Sequence, residues 1–144
     1  MSNGQVLQGL TVLVVDDNDT TRAMLRGILR HEGADVVGEA KDGPTAVAAC
    51  RKLKPRLVCL DVLMPNSNGV DVLKEIRSEQ PEIRVLMVTG ATDRQTVQAS
   101  IEAGASGYVV KPFNAARVVD AVRQAFASAP PPVVGPSGSK GTAV

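Results

Sequence analysis

The chain of 144 residues is long enough for one well-packed domain and too short for two ordinary ones. Sixteen Lys and Arg residues against fifteen Asp and Glu residues leave a formal charge of +1, which argues against charge-driven binding to nucleic acid or to an anionic membrane. No apolar run approaches the roughly 18 residues that span a bilayer, and the chain starts without a secretory leader. We therefore expect a cytoplasmic protein in which Cys50 and Cys59 are reduced and buried.

Five apolar runs of strand length alternate along the chain with five segments of helical spacing. The runs cover residues 12–15, 35–40, 57–60, 85–88 and 108–110, and most of them lack the alternation of a half-exposed strand. This order predicts an α/β fold, with a parallel sheet and helices on both faces. Pro44 fits a first helical turn and Gly33 a helix end. The helical stripes consist of Leu25, Ile28 and Leu29; Ala46, Cys50 and Leu53; Val72, Leu73 and Ile76; Val97 and Ile101; and Val119, Val122 and Phe126.

The two ends of the chain lack these patterns. Residues 1–9 are expected to form a short flexible leader, and residues 10–128 the folded domain. Residues 129–144 are rich in Pro, Gly and Ser, which is typical of a disordered tail or of a linker to a further segment.

Polar residues gather at the predicted carboxyl ends of four strands. Asp16 and Asp17 follow the first strand, Asp61 follows the third, Thr89 follows the fourth, and Lys111 follows the fifth. In an open α/β sheet the functional crevice lies at this edge, near the point where the winding changes direction. These five side chains are therefore predicted to share one pocket.

The composition of this pocket indicates metal and phosphate chemistry. Three carboxylates and one ammonium leave an excess of negative charge, which a small divalent cation with oxygen ligands would neutralise, and Mg²⁺ fits that set of donors. A carboxylate such as Asp61, beside a cation and Lys111, can attack a phosphoryl group to form an acyl phosphate. The cation, the lysine and a hydroxyl would then cover the transferred oxygens.

Four motifs, "VLVVDDND", "LVCLDVLMPNSNG", "VLMVTG" and "GYVVKPF", together resemble the response-regulator receiver domain of two-component signalling. The resemblance covers essentially all of residues 10–128. It implies a single-domain, flavodoxin-like (βα)5 three-layer sandwich, with five parallel strands in the order 2-1-3-4-5. It also implies that the bond from Lys111 to Pro112 is cis. The implied roles are phosphoacceptor for Asp61, Mg²⁺ ligands for Asp16, Asp17, Asp61 and the carbonyl of Leu63, switch pair for Thr89 and Tyr108, and phosphate-binding lysine for Lys111.

The resemblance further implies a mechanism and partners. A sensor histidine kinase, or a histidine phosphotransfer protein in a phosphorelay, would donate the phosphoryl group to Asp61. Thr89 and Tyr108 would then rearrange and remodel the surface of the fourth helix, fifth strand and fifth helix. The expected output is contact with a downstream protein target, not nucleic acid or membrane binding by this chain, and homodimerisation on activation stays open. The protein would be a self-phosphorylating acceptor with at most slow autodephosphorylation, and not an enzyme.

Three other functions compete with this interpretation. A phosphatase resembling the haloacid dehalogenase family needs a second carboxylate two residues after the first, where this chain has Leu63. A flavodoxin-like flavin carrier needs a neutral phosphate-binding loop, where this chain has the acidic "DDND". A receiver retained only as a phosphorylation-independent interaction module is the remaining alternative, and the intact set of pocket residues argues against it.

Several of these residues also have purely structural interpretations. The acidic run after the first strand fits a solvated turn in which Asp19 caps the next helix. Tyr108 fits an ordinary core or edge position, and His31 fits a helix end, where its charge favours the dipole. In the family that the motifs resemble, the positions of Leu63 and Ala91 tune phosphate hydrolysis, and neither side chain can orient water. A long-lived phosphorylated form is therefore expected.

Overall fold

The computed structural model describes residues 6–127 and 130–131. A central sheet of five parallel strands is formed by β1 (Thr11–Val15), β2 (Asp35–Ala40), β3 (Leu57–Leu60), β6 (Arg84–Thr89) and β7 (Gly107–Val110). A short antiparallel hairpin, β4 (Leu63–Met64) and β5 (Ser67–Asn68), lies between β3 and the third helix. The helices are α1 (Asp19–His31), α2 (Gly43–Leu53), α3 (Gly69–Glu79), α4 (Arg94–Glu102) and α5 (Ala115–Ala125).

The strand order of the large sheet is β2-β1-β3-β6-β7, which is the predicted order 2-1-3-4-5 once the hairpin is set aside. All four strand pairs in it are parallel. Two apolar clusters cover the two faces of the sheet, so the predicted three-layer α/β sandwich is confirmed. One cluster includes Ala46, Cys50, Leu73 and Ile76 from α2 and α3, and the other includes Leu25, Leu29, Val118 and Val122 from α1 and α5.

Side chains at the start of each helix satisfy backbone N–H groups that have no partner within the helix. The caps are Asn18, Asp42, Asn68, Asp93 and Asn114, and each accepts a hydrogen bond from the first turn. Pro44 lies in the first turn of α2, and Gly33 follows α1 with a positive φ of 93°, as predicted.

Two of the predicted helical stripes differ from the structure. Ile101 of α4 is 59% exposed and Val97 is only half-buried, while the buried residue of that helix is Ser100. Leu53, at the end of α2, is also exposed. The prediction of an inward apolar stripe on α4 is therefore wrong, because neither Val97 nor Ile101 is buried.

The packed body begins before residue 10, the predicted start of the domain. Leu7 is buried in the cluster with α1 and α5, and its N–H donates to the carbonyl of Glu32 at 2.7 Å. At the other end, the carbonyl of Pro131 accepts a hydrogen bond from Arg77 of α3. The rest of the predicted leader and tail, residues 1–5, 129 and 132–144, lies outside the described residues. No helix in the described part of the chain has both the length and the hydropathy needed to cross a membrane.

Candidate functional site

The carboxyl ends of β1, β3, β6 and β7 bring the predicted pocket residues to one edge of the sheet. Adjacent strands pair in register up to this edge, with Val15 opposite Leu60 and Thr89 opposite Val110. Asp16 and Asp61 directly follow the paired ends of β1 and β3, and Lys111 follows β7. The convergence that the sequence predicts is therefore present in the fold.

Three carboxylates form the centre of this pocket. Oxygens of Asp16, Asp17 and Asp61 lie within 4.8 Å of one another. Asp16 is 1% exposed and Asp61 is 4% exposed, whereas Asp17 faces solvent. The backbone N–H of Asn18 donates to Asp16 Oδ1 at 2.9 Å, and that of Leu63 donates to Asp61 Oδ1 at 3.2 Å. Each buried carboxylate thus has one oxygen fixed by the chain just after it.

Lys111 lies between the two buried carboxylates. Its Nζ is 2.8 Å from Asp16 Oδ2 and 3.1 Å from Asp61 Oδ2. The bond from Lys111 to Pro112 is cis, as the resemblance implies, and the backbone N–H of Lys111 donates to the carbonyl of Thr89 at 3.0 Å. The ammonium is therefore directed into the pocket from the end of β7.

Burial and like charge act together on these groups. Burial raises the pKa of Asp16, and the negative charge of Asp61 adds to this rise, while the contacts with Lys111 and Asn18 reduce it. For Lys111, burial alone would lower the pKa, but the contacts with Asp16 and Asp61 outweigh it and the net pKa is raised. The pocket thus favours the charged form of Lys111 and disfavours the charged form of Asp16.

The two predicted switch residues contact the backbone of the same residue, Ala91. Thr89 is fully buried, and its Oγ1 accepts a hydrogen bond from the backbone N–H of Ala91 at 3.3 Å. The hydroxyl of Tyr108, which is half-buried, donates to the carbonyl of Ala91. Burial raises the pKa of Tyr108, with smaller contributions from the charges of Asp93 and Asp61. Ala91 therefore connects Thr89 with Tyr108 through its backbone.

The family model described as "Response regulator receiver domain" matches residues 12–123 of the chain. The chain belongs to the response regulator receiver family. It is 39% identical over 116 residues to the chemotaxis protein CheY of Thermotoga maritima, a match that covers 81% of this chain and 97% of that protein. It is 42% identical to the probable transcriptional regulatory protein TcrX of Mycobacterium tuberculosis, where the match covers 78% of this chain but only 47% of the relative.

Solved receiver structures resemble this chain in three dimensions. The CheX-CheY-BeF3-Mg+2 complex of Borrelia burgdorferi matches with a TM-score of 0.81 and 30% identity, over 84% of this chain and 92% of the matched chain. The response regulator domain of Thermotoga maritima CheB matches with a TM-score of 0.79 and 33% identity, over 85% of this chain and all of the other. The predicted family and fold are confirmed, and the chain is a receiver module of two-component signalling.

The donor set of this receiver fits a hard divalent cation. Asp16 Oδ2 is buried and forms an ion pair with Lys111 Nζ at 2.8 Å, but within the described residues no backbone N–H donates to it. Three carboxylates face one ammonium, which leaves an excess of negative charge. Asp16, Asp17 and Asp61 could hold Mg²⁺, which favours carboxylate oxygen and retains several waters. Leu63 is the first residue of β4 and follows Asp61 by two positions in the chain. That its carbonyl is a Mg²⁺ ligand stays a prediction.

Two residues contact the backbone of the site without having been predicted from the sequence. Gly69, the first residue of α3, has its N–H bonded to the carbonyl of Val62 at 2.8 Å, and a Cβ there would lie 2.3 Å from the carbonyl oxygen of Asp61. The only sequence signal for this contact is the glycine that ends "MPNSNG". Arg22 of α1 donates to the backbone carbonyl of Asp16 at 2.8 Å, and no motif marks it.

Of the structural interpretations of nearby residues, the one for Asp19 is wrong and the one for His31 is confirmed. Asn18, and not Asp19, caps α1, while Asp19 pairs with Arg22. His31 lies in the last turn of α1, as predicted. Cys50 and Cys59 are buried free thiols, and burial raises the pKa of each to about 12.

Proposed function

We propose that this receiver is a signalling switch that accepts a phosphoryl group on Asp61, with Mg²⁺ held by Asp16, Asp17 and Asp61. The phosphoryl donor would be a sensor histidine kinase or a histidine phosphotransfer protein. One observation carries the proposal: Lys111 Nζ lies within 3.1 Å of a carboxylate oxygen of Asp61, which is nearly buried beside a second carboxylate. A carboxylate in this environment serves packing poorly and suits attack on an electrophile whose charge the ammonium can stabilise.

The transfer itself requires little of the protein beyond position and charge. A carboxylate oxygen of Asp61 attacks the phosphorus of a phosphohistidine, so that a P–O bond forms while the P–N bond breaks. The imidazole leaves with the electron pair of that bond. Lys111 stabilises the negative oxygens of the group in flight and of the product. Bound Mg²⁺ would supply further charge stabilisation to the same oxygens.

The contacts around Ala91 suggest how the signal would leave the pocket. An acyl phosphate adds charge and acceptor oxygens, toward which the Thr89 hydroxyl can turn. The N–H of Ala91 would then lose its contact with Thr89, and a shift of the Ala91 backbone would move its carbonyl, which accepts the hydrogen bond of the Tyr108 hydroxyl. In this proposal the outcome is a changed surface of α4, β7 and α5.

The free energy needed for this population shift shows that more than one group must take part. A change from a mostly inactive to a mostly active ensemble needs a differential of about 5 kcal/mol. A hydrogen bond from one hydroxyl to a charged acceptor contributes about 1.5–3 kcal/mol, so Thr89 alone is insufficient. Lys111 and the metal would share the task with Thr89.

The protein would act as an acceptor and not as a turnover enzyme. Leu63, two residues after Asp61, carries no group that can protonate a leaving group or orient water, and its side chain points largely into solvent. Ala91 offers no side-chain polar group either. Both positions favour a slow loss of phosphate, and any autodephosphorylation would be slow.

The partners in this proposal are proteins. The Borrelia burgdorferi CheY that this chain resembles is described in complex with CheX. By analogy, a cytoplasmic protein target would bind the surface of α4, β7 and α5, without direct contact between this chain and nucleic acid or membrane. Homodimerisation on activation is a second form that this output could take.

Chemical phosphorylation tests the proposal directly. The wild type, Asp61→Asn and Asp71→Asn are incubated with acetyl phosphate and Mg²⁺, then measured by intact mass, and with beryllofluoride, then measured by oligomeric state. Asp71 is an exposed aspartate on α3 outside the pocket, so its variant is the matched control. The wild type and Asp71→Asn should each gain one acid-labile phosphoryl group, and Asp61→Asn none. An unlabelled wild type would favour the phosphorylation-independent interaction module, and a labelled Asp61→Asn would move the acceptor elsewhere.

A further inference from the structure

Arg22 connects three segments around the acidic pocket. Its Nη1 donates to the backbone carbonyl of Asp16 at 2.8 Å, and its Nε donates to Glu39 Oε1 of β2 at 3.2 Å. Its Nη2 pairs with Asp19, the first residue of α1. The side chain is only 13% exposed, which is unusual for an arginine on the first turns of a helix.

We propose that Arg22 is a positioning residue for the metal site: its guanidinium fixes the backbone between β1 and α1 so that Asp16 and Asp17 present their oxygens to Mg²⁺. This inference rests on the proposed function. The planar fork of a guanidinium can bond several acceptors in a fixed geometry, which a lysine ammonium cannot reproduce. Partners outside the ligand set commonly orient the ligands of a metal site, and their loss weakens metal affinity.

Arg22 is itself held in place from the opposite side. Glu39 accepts hydrogen bonds from Arg22 and, through Oε2, from Arg26 Nη1 at 2.6 Å. Partial burial of Glu39 alone would raise its pKa, but the bonds from Arg26 and Arg22 outweigh this and hold the pKa below its usual value. Glu39 is therefore charged at neutral pH and anchors the guanidinium against β2.

Positioning and plain electrostatics predict opposite effects of removing this side chain. The loss of a positive charge near three carboxylates would by itself strengthen the binding of a cation. The loss of the bond to the Asp16 carbonyl would free the backbone between β1 and α1 and so weaken the binding of the cation. Arg26 separates the two effects, because it lies on the same helix and pairs with the same Glu39, while its bond in the described structure is to that carboxylate and not to Asp16.

The experiment is a titration with MgCl2 at constant ionic strength and without a phosphoryl donor, followed by the backbone amide NMR signals of Asp17 and Asn18. Arg22→Gln should weaken Mg²⁺ binding by about tenfold, near the lower end reported for outer partners of metal ligands. Arg22→Lys keeps the charge and should recover only part of this loss. Arg26→Gln should bind Mg²⁺ as tightly as the wild type or slightly more tightly. Thermal unfolding in EDTA then shows whether each variant is folded without metal.

The outcomes separate this inference from the proposed function. If the wild type binds Mg²⁺ and Arg22→Gln binds it equally or more tightly, the positioning role is refuted and the proposed function stands. If Arg26→Gln weakens binding as much as Arg22→Gln does, the effect comes from the disturbed contacts of Glu39 and not from the bond to the Asp16 carbonyl, and the inference is also refuted. A wild type that takes up no Mg²⁺ would overturn the metal site and the inference together.

Discussion

Gly69 offers a sharp test of the structure behind Asp61, the proposed phosphoacceptor. It begins α3, and its backbone lies directly against the chain that follows β3. A Cβ at this position would lie 2.3 Å from the carbonyl oxygen of Asp61 and 2.6 Å from the Cα of Val62. Both of these are backbone atoms, so no side-chain rotation can remove the overlap in Gly69→Ala.

The size of the effect follows from these distances. A carbon and an oxygen that are not bonded normally stay at least about 3.3 Å apart, so the two segments must separate by about 1 Å. Overpacking of this kind costs about 1–3 kcal/mol, and backbone on the opposing side favours the upper end. With an unfolding entropy of about 2.1 cal/mol/K per residue over roughly 120 residues, a loss of about 3 kcal/mol lowers Tm by about 12 °C.

Gly27 is the matched control, since the same substitution there should have the opposite sign. It lies in the middle of α1, is exposed, and has no heavy atom within 4 Å of a Cβ. Alanine is favoured over glycine in an exposed helix by about 0.5–1 kcal/mol, so Gly27→Ala should raise Tm by a few degrees.

Urea unfolding and differential scanning calorimetry measure both variants, and labelling by acetyl phosphate shows whether Gly69→Ala also displaces Asp61. We expect Gly69→Ala to be less stable and more slowly labelled than the wild type. A Gly69→Ala protein as stable as the wild type, or two variants that shift Tm in the same direction, would refute the close approach at Gly69.

Three further predictions concern the rate of phosphate loss, the reactivity of the two buried cysteines and the contribution of Glu39 to stability. Because Leu63 and Ala91 cannot orient water, the phosphorylated wild type should lose phosphate slowly with Mg²⁺ present, and Leu63→Asn should lose it several-fold faster in a time course of intact mass. Burial and the raised pKa of about 12 keep Cys50 and Cys59 as neutral thiols, so a thiol reagent at pH 8 should label neither until guanidinium unfolds the protein. The folded pKa of Glu39 lies below its unfolded value, so its stabilisation is present above the unfolded pKa and is lost as pH falls through the folded one. Glu39→Gln should therefore cost up to about 1 kcal/mol at pH 7 in urea unfolding, and the difference from the wild type should shrink below about pH 4; an equal difference at both pH values would contradict this.

The strand ends could be predicted from the sequence because one simple rule locates them. Uninterrupted apolar runs identify buried parallel strands, and the carboxyl ends of such strands share one edge of the sheet. Asp16, Asp61 and Lys111 each follow a run directly, so their meeting required no knowledge of side-chain geometry.

Contacts between segments far apart in the chain could not be predicted in this way. Arg22 reaches Glu39 across α1 and β2, and Gly69 touches Asp61 only because the hairpin of β4 and β5 turns the chain back. Arg77 is a stronger case: it is 1% exposed, and its guanidinium donates to the carbonyls of Pro81 and Ile83. Sequence patterns place arginine on the outer face of a helix, since its burial depends on carbonyl partners that no periodicity reveals.

The wrong prediction for α4 bears on the proposed switch. The apolar spacing of Val97 and Ile101 resembles an inward stripe, yet Ile101 is 59% exposed and the buried residue of this helix is Ser100. A helix that buries so little apolar surface gains little from its contact with the sheet, at about 25 cal/mol per Å². Displacement of α4 therefore costs less than displacement of α3, whose Leu73 and Ile76 are fully buried. Since the loop before α4 carries the peptide of Ala91, the free energy available from phosphorylation would act on the element that is most weakly held.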